Sequence, residues 1–173
     1  MLSIPGPTIS SVSFPCFAVY KAHQKTTREF VDVVIEVPKG SIVKRRPDGS
    51  VDFLLPCPCP FNYGSVISTS ASDGDPLDAV VLGGHLPYGH IGTWRVKGLL
   101  KFVDAGVEDD KLVCIQTLPE TDCLMQQIVG DFSIFDLLAL SVIFTVYSQF
   151  KHLVNVSRGM QGMTTFIGWE PYE

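Results

Sequence analysis

Basic excess, paired cysteines and membrane-length apolar runs are all scarce in this chain, and each shortage narrows what it can be. Lys and Arg number 13 against 18 Asp and Glu, a net charge of −5 over 173 residues. A nucleic-acid surface is normally basic, so no nucleic-acid partner is expected. Anionic small molecules would need bound cations to invert the local charge. The five cysteines (16, 57, 59, 114 and 123) are odd in number and show neither CxxC nor Cys/His spacing. A disulfide framework and a zinc site both lack support, and the cysteines read as reduced thiols of a cytoplasmic protein. Cys57-Pro58-Cys59 is flanked by proline on both sides and has no partner pair, so packed free thiols are expected there.

The first twenty residues have no basic n-region and carry Pro5, Pro7 and Pro15, which argues against a signal peptide. The apolar stretch from Leu137 to Tyr147 is too short to span a bilayer and follows Asp136. It reads as a buried helix of a soluble chain with no membrane partner. There is no P-loop Gly-Lys-Ser/Thr, no HExxH and no kinase set. His23, His85, His90 and His152 have no ligand spacing, and Trp94 and Trp169 suit a core or interface.

With 46% hydrophobic and 18% charged residues, the chain is an ordinary globular sequence with enough length for one core. Residues 1–28 read as an N-terminal arm or edge segment, and 29–173 as a single barrel domain. Phe30 to Val37 alternates apolar and polar residues as a strand does, with Glu36 on the face opposite the apolar set. Lys44 to Phe53 reads as a hairpin turning at Asp48-Gly49. Pro56 to Pro60 cannot be a central strand and forms an extended loop leading to Asn62-Tyr63-Gly64. Ala79 to Leu82, Thr93 to Val103 and Leu112 to Gln116 read as further strands, residues 134–153 as a long helix, and Thr165 to Trp169 as a closing strand. The expected fold is mainly β with α additions: a small, closed, five-stranded OB-like barrel flanked by one long helix and short helices.

The chemistry concentrates in Asp73-Gly74-Asp75-Pro76-Leu77-Asp78. Like charges this close repel unless a cation sits among them. Hard oxygen donors on a compact turn suit Mg²⁺, which keeps several waters and takes a few carboxylates plus substrate phosphates. An EF-hand Ca²⁺ loop is excluded because Leu77, Asp78 and Gly84 stand where an oxygen ligand, Gly and Glu are required. A second acidic cluster, Asp104, Asp109 and Lys111, falls between two apolar strands, where packing does not require charge. Lys44, Lys111 and Lys151 supply compact cations of the kind that bind phosphate as point charges. Carboxylates for divalent ions with lysines opposite them is the layout of metal-assisted phosphoryl transfer.

These residues resemble the family I soluble inorganic pyrophosphatases. Asp73 to Asp78 matches that family's signature, Ile35-Glu36-Val37-Pro38 with Lys44 its first strand, and Pro60-Phe61-Asn62-Tyr63-Gly64 its Pro-x-Asn-Tyr-Gly. Lys101 to Leu112 matches the later metal loop, and Phe150-Lys151-His152-Leu153 with Gly168-Trp169 the C-terminal part. The resemblance implies hydrolysis of pyrophosphate to two phosphates, with several Mg²⁺ ions per site (Mn²⁺ or other divalent ions also serving). It assigns metal binding to Asp73, Asp78, Asp104 and Asp109, with Glu36 supporting the metals' waters. Asp75 becomes the general base, with Tyr63 hydrogen-bonding near the water and metals. Lys44, Lys111 and Lys151 become phosphate contacts, Lys111 also counting among the catalytic residues. A homo-oligomer, hexamer or dimer, is implied as well.

The chain also departs from the family. Arg46 stands where Glu is usual, Phe53 where a phosphate-binding Arg is usual, and Phe150 where a Tyr precedes Lys151. Cys59 replaces a Tyr and Ala105 an acidic residue. The thinned phosphate set leaves open a related phosphoanhydride hydrolase with altered preference, or a weakly active or non-catalytic metal-binding relative. With Asp48-Gly49 as a two-residue turn, Arg46 would pair with Val51, Arg45 with Asp52 and Lys44 with Phe53. Arg46 would then lie diagonal to Phe53 and could supply the missing guanidinium from the opposite strand.

Overall fold

A computed structural model describes residues 29–46, 48–70, 75–116 and 132–172. The strands are β1 (Phe30–Val37), β2 (Val43–Arg45), β3 (Val51–Leu54), β4 (Asn62–Val66), β5 (Asp78–Leu82), β6 (Ile91–Asp104), β7 (Val107–Glu108), β8 (Lys111–Ile115) and β9 (Thr165–Pro171). Among the described residues there is one helix, α1 (Ile134–Ser157). The short helices expected from the sequence are not among these residues.

Five strands close on themselves. β1 pairs antiparallel with β4 and β6, β4 with β5, β5 runs parallel to β8, and β8 returns antiparallel to β6. This is the five-stranded barrel expected from the sequence. Each of the five strands contributes apolar side chains to one cluster, including Val33, Ile35, Val66, Ala79, Val81, Trp94, Val96, Leu112 and Cys114. The strand period of two sends Val80 and Val113 to the other side, where Leu100, Phe102, Phe61, Leu140 and Phe144 form a second cluster beneath α1. β5 and β8 are therefore apolar on both faces, which is why they read as short continuous runs.

β4 was not legible as a strand, since the sequence points only to a loop leading into Asn62-Tyr63-Gly64. Its place depends on two features. A Cβ on Gly64 would lie 1.9 Å from the Val34 carbonyl oxygen, so only glycine allows β1 and β4 to approach this closely. The fully buried Asn62 accepts from the Lys39 and Leu86 amides (3.0 and 2.9 Å) and donates to the Gly84 carbonyl (2.8 Å).

α1 begins at a capping box: the Asp136 amide donates to the Ser133 side chain while the Ser133 amide donates to Asp136. It continues to Ser157, beyond the expected end at 153. The expectation of a buried helix is corrected, because burial is one-sided. Leu140, Phe144, Ser148 and Asn155 face inward, while Phe135, Leu138, Val142, Val146 and Leu153 are exposed. By length and composition this helix is also apolar enough to cross a membrane, which the shorter stretch read from sequence was not.

The β2–β3 hairpin carries a second correction. Lys44 does face Phe53, but Arg45 faces Val51, with an irregularity between Lys44 and Arg45. The Gly49 amide donates to the Arg46 carbonyl (2.8 Å), the Arg46 amide donates to the Ser50 carbonyl (2.9 Å), and Gly49 has a φ of 83°. That is a longer loop ending in a left-handed glycine, which displaces the register that a two-residue turn would set.

Candidate active site

The barrel's pairing brings the charged residues to one cleft. Parallel β5 and β8 are in register with Asp78 opposite Lys111, so the first residues of both strands meet. Lys111 Nζ donates to Asp78 Oδ2 at 2.9 Å and to Asp109 Oδ1 at 2.6 Å, with only 2% of the lysine side chain exposed. Ser65 on β4 faces Asp78 and donates to Glu36 Oε1 at 2.6 Å. Lys44 on β2 reaches Glu36 at 3.7 Å and sits 5.5 Å above the Tyr63 ring. From the helix, Lys151 pairs with Asp104 at 2.7 Å, and Asn155, one turn on, donates to the same carboxylate at 2.6 Å.

The cleft, lined by all of these except Lys111 and Tyr63, holds about 980 Å³. Glu36, Asp52, Asp75, Asp78, Asp104, Asp109 and Asp110 face it, against the cations Lys44, Arg45, Arg46, Lys151 and Arg158. Acids outnumber bases on these walls, so a polyanion would enter only with added cations.

The charges are strongly coupled. Burial works to raise the Asp78 carboxyl, but the charges of Lys111 and Lys44 and a hydrogen bond from Tyr63 outweigh it, holding it below the usual carboxylate value. Burial wins at Asp109, which is raised despite Lys111. At Asp104, burial is overcome by Lys151, Asn155 and Thr164, and the carboxyl is lowered. Burial would lower Lys111, yet the facing charges of Asp78 and Asp109 raise it well above the ordinary lysine value. Tyr63 is raised by burial first, then by Asp78 and Asp109, and so keeps its proton. Burial pushes Cys59 up to about 11 and Cys114 to about 12, which suppresses thiolate formation at both, whereas Cys57 is exposed and corrects the packed thiol expected there.

The structure thus gathers Glu36, Lys44, Asp75, Asp78, Asp104, Asp109 and Lys151 around one cleft, with Lys111 and Tyr63 outside its lining and joined to it through Asp78. Asp73 lies outside the described residues. Arg46 also lines the cleft, but the shifted register removes its expected pairing with Val51, and its guanidinium pairs with Asp52 at 3.1 Å. Four contributors were missed by sequence reasoning. Asp110 pairs with Lys101 and accepts from the Phe102 amide, which holds the 104–111 loop against β6. Asn155 and Thr164 brace Asp104. Tyr147 lines the cleft as well. Tyr147 and Asn155 lie four residues on either side of Lys151, and that helical spacing was the available signal.

The donor set fits a hard divalent ion. All the candidate donors are oxygens, as Mg²⁺ requires. Among the described residues no three acidic, His or Cys groups converge to hold a metal between protein atoms alone.

Known proteins of the same kind bear on this geometry. The sequence pattern of the family described as inorganic pyrophosphatase matches residues 33–165. An inorganic pyrophosphatase of Bacillus sp. is 33% identical over 151 residues, 82% of this chain and 85% of that protein. One from Streptomyces coelicolor is 32% identical over 130 residues, covering 69% and 78%. The crystal structure of inorganic pyrophosphatase from Thermus thermophilus superimposes with a TM-score of 0.65 at 29% identity, covering 85% of each chain. Matched in sequence across its barrel and in three dimensions across its fold, the chain belongs to the inorganic pyrophosphatase family.

Proposed function

We propose that this chain hydrolyses inorganic pyrophosphate to two phosphates in a Mg²⁺-dependent reaction. The observation that carries the reading is the Asp78–Lys111–Asp109 cluster at the head of β5 and β8, set in an acidic cleft with Lys44 and Lys151 on its walls. Asp73, Asp78, Asp104 and Asp109 would hold Mg²⁺, with Glu36 and its Ser65 partner steadying nearby waters. Bound there, Mg²⁺ would supply the positive charge that acidifies the attacking water and neutralises phosphate oxygens. Asp75, exposed at the cleft, accepts the water's proton. Tyr63 fixes Asp78 by hydrogen bonding, while Lys44, Lys111 and Lys151 receive phosphate oxygens.

The deciding experiment is phosphate release from pyrophosphate with added Mg²⁺, set against release from triphosphate substrates. Selective release from pyrophosphate is the expected result. A specific observation favours one second reading: Phe53 and Phe150 line the cleft where hydrogen-bonding side chains are expected, and a preference for another phosphoanhydride would follow from their apolar surface.

The proposed biological setting is a soluble, cytoplasmic homo-oligomer, hexamer or dimer, built from one barrel domain (29–173) behind an N-terminal arm (1–28). The exposed stripe of Phe135, Leu138, Val142, Val146 and Leu153 supports self-association, since a contiguous apolar face suits burial against a second copy. The free thiols support a reducing compartment. Light scattering coupled to gel filtration would give the subunit count, and a monomeric mass would overturn this assignment.

A further inference from the structure

Tyr147 stands one helical turn ahead of Lys151 and lines the same cleft. Its ring is packed against Phe102 and Phe144, with centroids at 6.0 and 6.1 Å. Aromatic neighbours on two sides fix the ring, and its remaining edge carries the hydroxyl. Burial is the first influence on that hydroxyl, and the charges of Lys151, Lys111 and Lys44 follow in that order. All three phosphate-binding lysines therefore act on one phenol. The phenol of Tyr63 feels it too.

Packing alone would be served by phenylalanine, which the chain uses at the adjoining positions Phe61, Phe102, Phe144 and Phe166. Within this cluster a hydroxyl occurs at Tyr147 and Tyr63, and of the two it is Tyr147 that lines the cleft. A neutral O–H on a cleft wall shared with Lys44 and Lys151 complements the oxygen of an anion held by them. Phe150, also on the cleft wall, offers no hydroxyl. Residues three apart on a helix share a face, so a phenol at 147 reaches the space beside one at 150.

We propose that Tyr147 is a substrate-positioning residue whose hydroxyl donates to a phosphate oxygen held between Lys44 and Lys151 in the cleft, taking over a contact that Phe150 cannot make. This deepens the pyrophosphate reading and rests on it. The hydroxyl orients the phosphate and carries no proton in the reaction. The ring's packing remains intact when the oxygen alone is removed.

The test compares the full chain with Tyr147→Phe, by calorimetric titration with inorganic phosphate in the presence of Mg²⁺ and by pyrophosphate kinetics. Loss of one hydrogen bond to a charged group should weaken phosphate binding roughly ten-fold or more and raise KM for pyrophosphate similarly. kcat should change less, and Mg²⁺ affinity and the thermal midpoint should hold. Tyr147→Phe combined with Phe150→Tyr should recover much of the phosphate affinity, which a merely structural role for Tyr147 would not produce. Unchanged phosphate affinity in Tyr147→Phe overturns the contact, and a double variant no better than the single overturns the exchange with Phe150. A wild-type chain that binds phosphate yet releases none from pyrophosphate would refute the hydrolytic reading. The phosphate titrations would then decide on Tyr147 independently.

Discussion

Lys111 and Asp78 meet head to head across the parallel β5–β8 pair, 2.9 Å apart, with the ammonium also held 2.6 Å from Asp109. One buried cation therefore separates two carboxylates that would otherwise confront each other. This makes Lys111 a structural keystone as well as a candidate phosphate contact.

Lys111→Met should destabilise the metal-free protein by about 3–5 kcal/mol at neutral pH, because removing one member of a buried ion pair leaves uncompensated charge. Urea unfolding reads the loss. The sign of its pH dependence follows from the carboxyls. Asp78 is depressed in the native wild type, so its contribution is present above the ordinary value of 3.8 and disappears as pH falls through its lower native value. Asp109 is raised, so its repulsion is relieved at higher pH than that of Asp78. The gap between wild type and variant should therefore narrow on acidification. A gap that widened toward low pH would contradict the pairing.

Asp75→Asn should lower pyrophosphate hydrolysis by about 10²–10⁴-fold while Mg²⁺ still binds, since the amide keeps the shape but cannot accept the water's proton. Steady-state rates alongside a metal titration check both halves. Near-wild-type turnover would remove Asp75 from the role of base.

Asp78→Ala should impair metal binding more than Asp75→Asn does. Its carboxylate is partly buried beside Asp109 and Lys111, whereas Asp75 is exposed at the rim. Mn²⁺ titrations of the two variants make the comparison, and equal affinities would show that Asp78 is no ligand.

Arg46→Ala should weaken pyrophosphate handling while leaving fold and metal affinity intact. The Arg46–Asp52 pair is largely exposed and contributes little to stability, so the guanidinium can turn to a phosphate at small cost. Arg46→Glu should be at least as damaging, and adding Phe53→Arg to it should recover much of the loss. Non-additivity in this cycle measures the shared role. If Arg46→Ala hydrolyses pyrophosphate as wild type does, the lysines suffice.

Much of the barrel could be read from the chain because β1 and β6 alternate and β5 and β8 are short apolar runs. β4 could not, because Asn62, Tyr63, Gly64 and Ser65 form no apolar pattern. The close approach at Gly64 and the hydrogen bonds of Asn62 hold it instead, and both exist only after β1 is in place. The hairpin was recognised but its turn was set one residue too short, which moved Arg46 toward Asp52. The acidic residues of the site were legible because their clustering on turns has no packing rationale. Tyr147 and Asn155 sat unnoticed in an apolar helix, and only the orientation of α1 gives them polar surroundings. The same orientation leaves half the helix bare, which hydropathy alone could not distinguish from burial.

Parallel pairing of β5 with β8 has a kinetic consequence. The Asp78–Lys111 contact spans 33 residues, and the members of the cleft extend from Glu36 to Gln161. Such distant contacts carry a loop-closure entropy that local helix formation does not, so they form late. α1, with its own capping box, can acquire its hydrogen bonds before the ring of strands is shut. During refolding, the helical signal would thus return ahead of hydrolysis, and the regain of activity would time the closing of the barrel.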